Sequence, residues 1–273
     1  MAATPVFTLE MIDLHCHLLP GIDDGAPDLQ TALDMARMAA DDGITDLACT
    51  PHIFPGMFEN DTASIKQAVA ELQTRLDAAG IKLRLSWGAD AHVSPQLLDR
   101  LRDGSVPRLN DSRYFLLEPP HHVAPPRFEE FVFGILAAGY VPVITHPERL
   151  TWIEDHYETF CRLAESGAWM QITAGSLTGR FGDDARYWGE RMLDEGRVHL
   201  LATDAHGSDR RPPLLAEGRA AAARWVGKEE AGHLTLTRPR GILQDTPPEE
   251  LPPLPQPGAR QKTGWLSRLF RRG

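Results

Sequence analysis

The sequence predicts an α/β protein: a TIM-like barrel of parallel strands ringed by helices, followed by a proline-rich, basic C-terminal tail. Three observations predict it. Short apolar runs alternate with longer segments of helical periodicity about seven times along the chain. The runs are apolar on both faces, as strands of a helix-covered parallel sheet must be. Residues able to do acid, base or ligand chemistry gather at or just after the C-terminal ends of these runs, and in a barrel those ends converge on one face. An open doubly wound sheet would bring only a few of them to its switch point.

The elements follow in order. Residues 10–15 are a first apolar strand, and at its end His15 and His17 stand two apart, so they share a face. Two imidazoles on one face make half of a metal site, and the loop Pro20-Gly21-Ile22-Asp23-Asp24-Gly25 adds carboxylates just beyond. Residues 28–41 carry Leu29, Leu33, Met35, Ala36 and Ala39 at helical spacing. Residues 46–50 read as a strand ending at Pro51-His52, and 62–79 as a helix stopped by Gly80. Residues 82–88 are a strand ending at Ala89-Asp90, and 95–103 a short helix. Residues 114–117 are a strand ending at Glu118, and 128–138 a helix stopped by Gly139. The strand over 141–145 ends at His146, and the helix over 154–166 stops at Gly167. A strand over 169–173 precedes a helix over 183–195 with Gly196 as its stop. The strand over 198–203 ends at Asp204-Ala205-His206, and 213–226 is the last core helix.

The composition narrows the function classes. The 273 residues suffice for one large domain or two small ones. With 28 Lys and Arg against 38 Asp and Glu, the net charge is −10, which argues against a general nucleic-acid binder. Cys16, Cys49 and Cys161 form no Cys-x-x-Cys pair, and an odd count suits a reducing compartment. No basic stretch leads into an apolar core at the N-terminus, so no signal peptide is expected, and no apolar run is long enough to span a membrane. The chain divides into a barrel over 1–242 and a tail over 243–273. Six prolines between 247 and 257 predict an extended linker. Beyond it, Trp265, Leu266, Leu269 and Phe270 would share one face of a short helix among Arg260, Lys262, Arg268, Arg271 and Arg272. Such a segment can dock on an anionic membrane surface or remain a solvated tail.

The strand-end residues are His15, His17, His52, His146 and His206 with Asp24, Asp90, Glu118 and Asp204. They are too many for one ion, and mixed nitrogen and carboxylate donors suit two or three divalent cations: Mn²⁺ first, with Fe²⁺ or Zn²⁺ as alternatives. Clustered cations can activate water and clamp the oxygens of an in-line displacement. His92, His156, His199 and His233 read as surface or packing residues, and Cys16 and Cys49 as small core residues.

At Asp13-x-His15-x-His17, Thr50-Pro51-His52, Gly88-Ala89-Asp90, Thr145-His146-Pro147-Glu148-Arg149 and Thr203-Asp204-Ala205-His206 the chain resembles the polymerase-and-histidinol-phosphatase (PHP) superfamily. It is most similar there to the bacterial metal-dependent protein-tyrosine phosphatases of capsule and exopolysaccharide operons. Gly21–Gly25, Gly56–Glu59, Leu109–Tyr114 and Arg211-Pro212-Pro213 support the resemblance, which runs from about Met11 to about Ile242. It implies a distorted (β/α)7 barrel. By the same resemblance His15, His17 and Asp204 would hold one cation, with Asp90 bridging to a second completed by Glu118 and His146. Asp24, His52 and His206 would hold a third. Arg149 and Arg211 would contact phosphate, and Asp13 would orient a histidine. The implied reaction is hydrolysis of phosphotyrosine by a metal-activated hydroxide, without a phosphoenzyme. The implied substrate is a bacterial tyrosine autokinase that regulates exopolysaccharide or capsule synthesis, met in the cytoplasm or at the inner face of the membrane.

Two departures stand out. Asp90 occupies a position where the tyrosine-phosphatase form carries Glu, so its bridge is one methylene shorter. Pro119-Pro120-His121-His122 has no counterpart in the pattern and reads as mouth lining or a solvated loop. Rival readings are a small-molecule phosphatase such as a histidinol-phosphate phosphatase, and a non-catalytic scaffold, which would have lost ligands. A thiol-based phosphatase would place Arg six residues after its Cys, where this chain has Ile22, Pro55 and Gly167.

Overall fold

Every strand ladder is parallel in the structure, a computed structural model described over residues 10–256. The chain runs β1 (Met11–Cys16), α1 (Leu29–Asp41), β2 (Ile44–Cys49), β3 (His52–Ile53), α2 (Thr62–Ala78), β4 (Arg84–Trp87), β5 (Asp90–His92) and α3 (Leu97–Arg102). It continues through β6 (Tyr114–Glu118), α4 (Phe128–Ala137), β7 (Val141–Thr145), α5 (Ile153–Glu165), β8 (Trp169–Thr173) and the single turn α6 (Ala174–Leu177). Then come α7 (Gly182–Asp194), β9 (Leu200–Ala202), α8 (Ala216–Gly232), a π-helical turn over His233–Thr237, and α9 (Arg238–Leu243). Asp28 caps α1 by accepting from the Thr31 N–H, and Asp61 and Ser64 form a reciprocal capping box on α2. Gly80, Gly139, Gly167 and Gly196, the expected helix stops, all take positive φ.

The expected closed ladder does not form. The strands make a three-stranded sheet, β1-β2-β4, and a six-stranded sheet, β3-β5-β6-β7-β8-β9. Two short strands lie beyond the expected strand ends: β3 follows the strand that ends at Pro51-His52, and β5 the one that ends at Ala89-Asp90. Pro51 sits between β2 and β3 and brings no N–H to a ladder. Among the described residues β9 and β1 form no ladder; just beyond β9 stands the single bridge Cys16–Ala205, where the Asp204 N–H donates to His15 O at 2.8 Å and the His17 N–H to Ala205 O at 2.9 Å. The last core helix is longer than its periodicity suggests. It runs past a break at Gly227 (φ +85°).

Two apolar layers hold the sheets in place. Between strands and helices lies the larger core, with Met35, Leu72, Phe115, Ile144, Phe160, Met170 and Leu201 among its buried members. A smaller plug fills the space the strands enclose. Ile12, Leu14, Tyr114, Leu116, Val143, Trp169 and Leu200 meet there, closed from below by Ile242. The segment expected as a free linker begins as a strap across the strand N-termini. Tyr114 Oη donates to Thr246 O at 2.7 Å. Buried Arg238 donates to Pro252 O and Pro253 O, both at 2.9 Å, and to His199 O at 3.2 Å, and it pairs with Glu230 at 2.6 Å. The basic stretch expected over 258–273 lies outside the described residues.

Candidate metal centre

The site begins with a bulge in β1. Asp13 pairs with Leu47 but Cys16 with Cys49, so β1 spends one more residue than β2 between the same two rungs. An extra residue reverses the alternation of side chains. Ile12 and Leu14 therefore point into the enclosed plug, and after the bulge His15 and His17 do so as well. Asp13 falls on the helix side. It accepts from the Thr203 N–H at 3.0 Å, from the Thr203 hydroxyl, and from the His15 N–H at 3.3 Å. Burial pushes its carboxyl up to about 6. Asp13 thus bonds no imidazole ring, contrary to the role expected for it. Two residues the sequence reading did not single out do so instead. Gln171 Oε1 lies 2.8 Å from His15 Nδ1, and Asp23 Oδ2 lies 2.7 Å from His17 Nδ1. Each contact leaves Nε2 free to face the cavity. Gly25 makes the Asp23 placement possible, because a Cβ there would collide with His17 O.

Three groups of donors converge above the plug. His15 Nε2 and His17 Nε2 face each other at 3.2 Å, with Asp204 Oδ1 at 3.3 and 3.5 Å from them. His52, Asp90 and Glu118 form a second group. In it His52 Nδ1 is 3.3 Å from Glu118 Oε2 and 3.6 Å from Asp90 Oδ2, and Asp90 Oδ2 is 3.3 Å from His15 Nε2. His146 Nε2 lies at the edge of this group, 4.0 Å from Glu118 Oε1. Asp24 Oδ1 joins His52 Nε2 at 3.5 Å and His206 Nε2 at 3.4 Å in the third group, which His17 also borders. His146 (φ +37°) and Asp204 (φ +51°) both adopt the left-handed conformation just past their strands, uncommon for residues other than glycine though Asp and His tolerate it better than most.

The chemistry of these groups suits cations. Asp90 is fully buried, yet neither of its carboxylate oxygens has a hydrogen-bond partner, and His52 Nδ1 and His146 Nδ1 are likewise orphaned. A buried carboxylate without donors is costly unless a cation compensates it. Burial opposes charge on His15 and His52, but the carboxylates around them prevail and push them up to about 9 and about 10. Glu118 and Asp204 are held well below the usual carboxylate range against their burial, Glu118 by His52 and His92, Asp204 by His15, Arg211 and Arg149. Burial pushes His206 down to about 4 and His146 well below its ordinary value. Protons on imidazoles and divalent cations are thus alternative ways of balancing the same carboxylates, and binding one releases the other.

Arg149 and Arg211 close the mouth. Both guanidinium groups reach Asp204 Oδ2, Arg211 at 2.5 Å. Glu148 accepts from the Thr173 N–H at 2.9 Å and from Ser176 Oγ at 2.7 Å, pinning the turn that carries Arg149. His92, read as a packing residue, sits 3.4 Å from Glu118 Oε2. His121 stacks on His146 with ring centroids 5.3 Å apart, which brings one residue of the segment without a counterpart beside the donor groups. A polar Gln171 inside the apolar run 169–173 was the sequence signal for one of these residues. His121 was already a candidate for the mouth, whereas His92 carried no comparable signal. Cys16 and Cys49 are buried, and burial pushes both thiols upward, the wrong direction for a nucleophile.

Comparison with known proteins places this geometry among relatives. The family model "Capsular polysaccharide synthesis, CpsB/CapC" matches residues 11–244. Tyrosine-protein phosphatase YwqE of Bacillus subtilis (strain 168) is 36% identical over 196 residues, 72% of this chain and 77% of its own. Putative tyrosine-protein phosphatase CapC of Staphylococcus aureus is 31% identical over 207 residues, 76% of this chain and 81% of its own. Among solved structures, the work on YwqE from Bacillus subtilis and CpsB from Streptococcus pneumoniae, unique metal-dependent tyrosine phosphatases, includes a chain that matches with TM-score 0.85 at 32% identity. The match covers 90% of this chain and 99% of that one.

Proposed function

This chain belongs to the CpsB/CapC family of capsular polysaccharide synthesis, and from that membership we propose that it is a metal-dependent protein-tyrosine phosphatase. One carboxylate carries the reading. Asp204 turns Oδ1 toward His15, His17 and His206 and Oδ2 toward Arg149 and Arg211. A single side chain so joins a cation-binding cluster to two anion-binding guanidinium groups, the combination a phosphomonoester needs.

The residues that would hold cations are His15, His17 and Asp204; Asp90, Glu118 and His146, with His52; and Asp24, His52 and His206. Asp90 stands where it can serve two positions, between His15 and His52. When bound, divalent cations supply activation of water and neutralisation of the phosphoryl oxygens. Mn²⁺ is our first choice, before Fe²⁺ and Zn²⁺, for donors that are imidazole nitrogen and carboxylate oxygen. The chain's own residues do the rest. Gln171 and Asp23 fix the imidazole orientations, and Arg149 and Arg211 take the phosphoryl oxygens. Cys16 and Cys49 are poor nucleophiles, and the family resemblance implies water as the attacking species, without a phosphoenzyme. We read the two sheets as one distorted (β/α)7 barrel whose ladder is interrupted at Pro51 and at Gly88-Ala89. For the domains we keep the division between residues 242 and 243 that the sequence suggests.

For the substrate we propose a phosphotyrosine protein, a bacterial tyrosine kinase held at the membrane, and the cytoplasm as the place of action. No helix among the described residues is long and apolar enough to cross a membrane. The basic, apolar stretch over 258–273 would hold the enzyme at the inner face by peripheral contact. Flotation with anionic liposomes should carry the full chain but not one ending at residue 257; equal flotation removes the membrane contact. The function itself is tested on Mn²⁺-loaded protein. Phosphotyrosyl peptide should turn over at least about 10-fold faster, by kcat/KM, than histidinol phosphate. The reverse order would make the protein a small-molecule phosphatase, and no turnover of either would revive the scaffold.

A further inference from the structure

We propose that Phe181 is a positioning residue that holds Arg149 and Arg211 in register for a phosphoryl group. The Arg149 guanidinium carbon lies 4.2 Å from the Phe181 ring centroid, and that of Arg211 lies 5.9 Å from it. Both fall within the reach of a cation–π contact, about 6 Å. One ring thus serves the two side chains that come from different strand ends, one after β7 and the other after β9. Both guanidinium groups also meet Asp204 Oδ2. The aromatic ring attracts the cations without competing for the N–H groups that must bind the phosphoryl oxygens.

The local sequence is built to deliver this ring. Phe181 sits in the turn between α6 and α7, bracketed by Gly179 (φ +87°) and Gly182 (φ +88°). Both positions lie in the region that side chains rarely adopt. The ring edge lies over Gly175, where a Cβ would stand 3.0 Å from Phe181 Cε2. Arg180 pairs with Glu217 of α8 at 2.9 Å and ties the turn down from outside. Arg211 is held from its own side. Its carbonyl accepts from the His206 N–H at 2.9 Å and the Gly207 N–H at 3.3 Å. An arginine loses substantial rotamer freedom on binding an anion, and a shelf that removes part of that freedom beforehand strengthens the binding.

The inference rests on the reading of Arg149 and Arg211 as phosphate contacts, and it is tested with inorganic phosphate and p-nitrophenyl phosphate on Mn²⁺-loaded protein. Phe181→Leu should weaken phosphate binding measured by calorimetry, and raise KM, by about 5- to 30-fold, with kcat changed less than about 3-fold and metal content unchanged. Phe181→Tyr, which keeps the aromatic face, should restore both constants to within about twofold. A pentafluorophenyl ring at position 181 keeps the shape but withdraws the negative face, and should behave like Phe181→Leu even if the leucine variant folds poorly. Phosphate affinity and KM within about twofold of the wild type in the fluorinated protein would overturn the assignment. So would a loss confined to kcat or accompanied by loss of metal. If phosphotyrosyl peptide is not a substrate but phosphate binding weakens as described, the proposed function fails and the role of Phe181 stands.

Discussion

Asp90 is the least satisfied side chain of the site. It is fully buried, both its oxygens lack donors, and two imidazoles that also serve other groups flank it. Asp90→Ala should lower the number of Mn²⁺ ions retained and reduce phosphotyrosyl-peptide turnover at least about 100-fold. Asp90→Glu, the longer carboxylate of the related tyrosine phosphatases, should keep both; metal analysis beside kcat distinguishes the two outcomes. Asp204 and His146 were legible as strand-end residues, but their left-handed backbone was not, since it follows from where the next turn must go. Replacing either by Ala should abolish turnover and metal retention together, and turnover that survives would refute the mechanism. Gln171 and Asp23 make the opposite case. Neither was singled out, because an amide in a strand and one of two adjacent aspartates say nothing about the ring they will meet. Asp23→Asn should weaken metal affinity by about 10- to 100-fold while leaving the ligands in place, as titration with the metal would show.

At the scale of elements, β1 teaches the clearest lesson. Strict alternation groups Asp13 with His15 and His17, and only the bulge separates them. A bulge is a property of two strands together, invisible in either alone. The strap behind the strands is a second case. Its prolines read as a linker, but the donors that hold it come from Arg238, which carries no signal of burial in the sequence. Arg238→Met leaves Glu230 without its partner in a half-closed site and frees two proline carbonyls, so stability should drop by about 3–5 kcal/mol in urea denaturation. A chain ending after residue 246 should unfold at lower urea than one ending after residue 256. Beside the strap, His199 Nδ1 accepts from the Met170 N–H at 3.0 Å, and burial with Arg238 nearby pushes this imidazole down to about 3. The unfolded chain takes up a proton near pH 6.5 and the folded one does not. Stability should therefore be level above pH 6.5 and fall as pH drops from there toward 3, by at most about 1.4 kcal/mol per pH unit from this group. His199→Asn keeps an acceptor without a titration, so its urea midpoint should fall less between pH 7 and pH 5 than that of the wild type.

Across the whole molecule, the order of elements was legible because both of its signals are local. An apolar run flanked by a glycine stop reports its own conformation, and β6, β7 and β8 lie within a residue of where the pattern puts them. The convergence of polar strand ends was legible for a different reason: parallel strands joined by helices all present the same end to one face. Whether the ladder closes was not, because closure depends on hydrogen bonds between strands far apart in sequence, and Pro51 and the single Cys16–Ala205 bridge interrupt it. The sequence by itself therefore determined the α/β class, the parallel strands and the set of imidazoles and carboxylates available to a metal. Tertiary structure alone decided which of them lie within reach of one another, that Asp13 is turned away while Gln171 and Asp23 are turned in, and that the Phe181 ring lies near both arginines. The physical reason is range. Propensity and periodicity act over a few residues, whereas a ligand shell is assembled from side chains up to about 190 residues apart, and their meeting is set by register, bulges and packing.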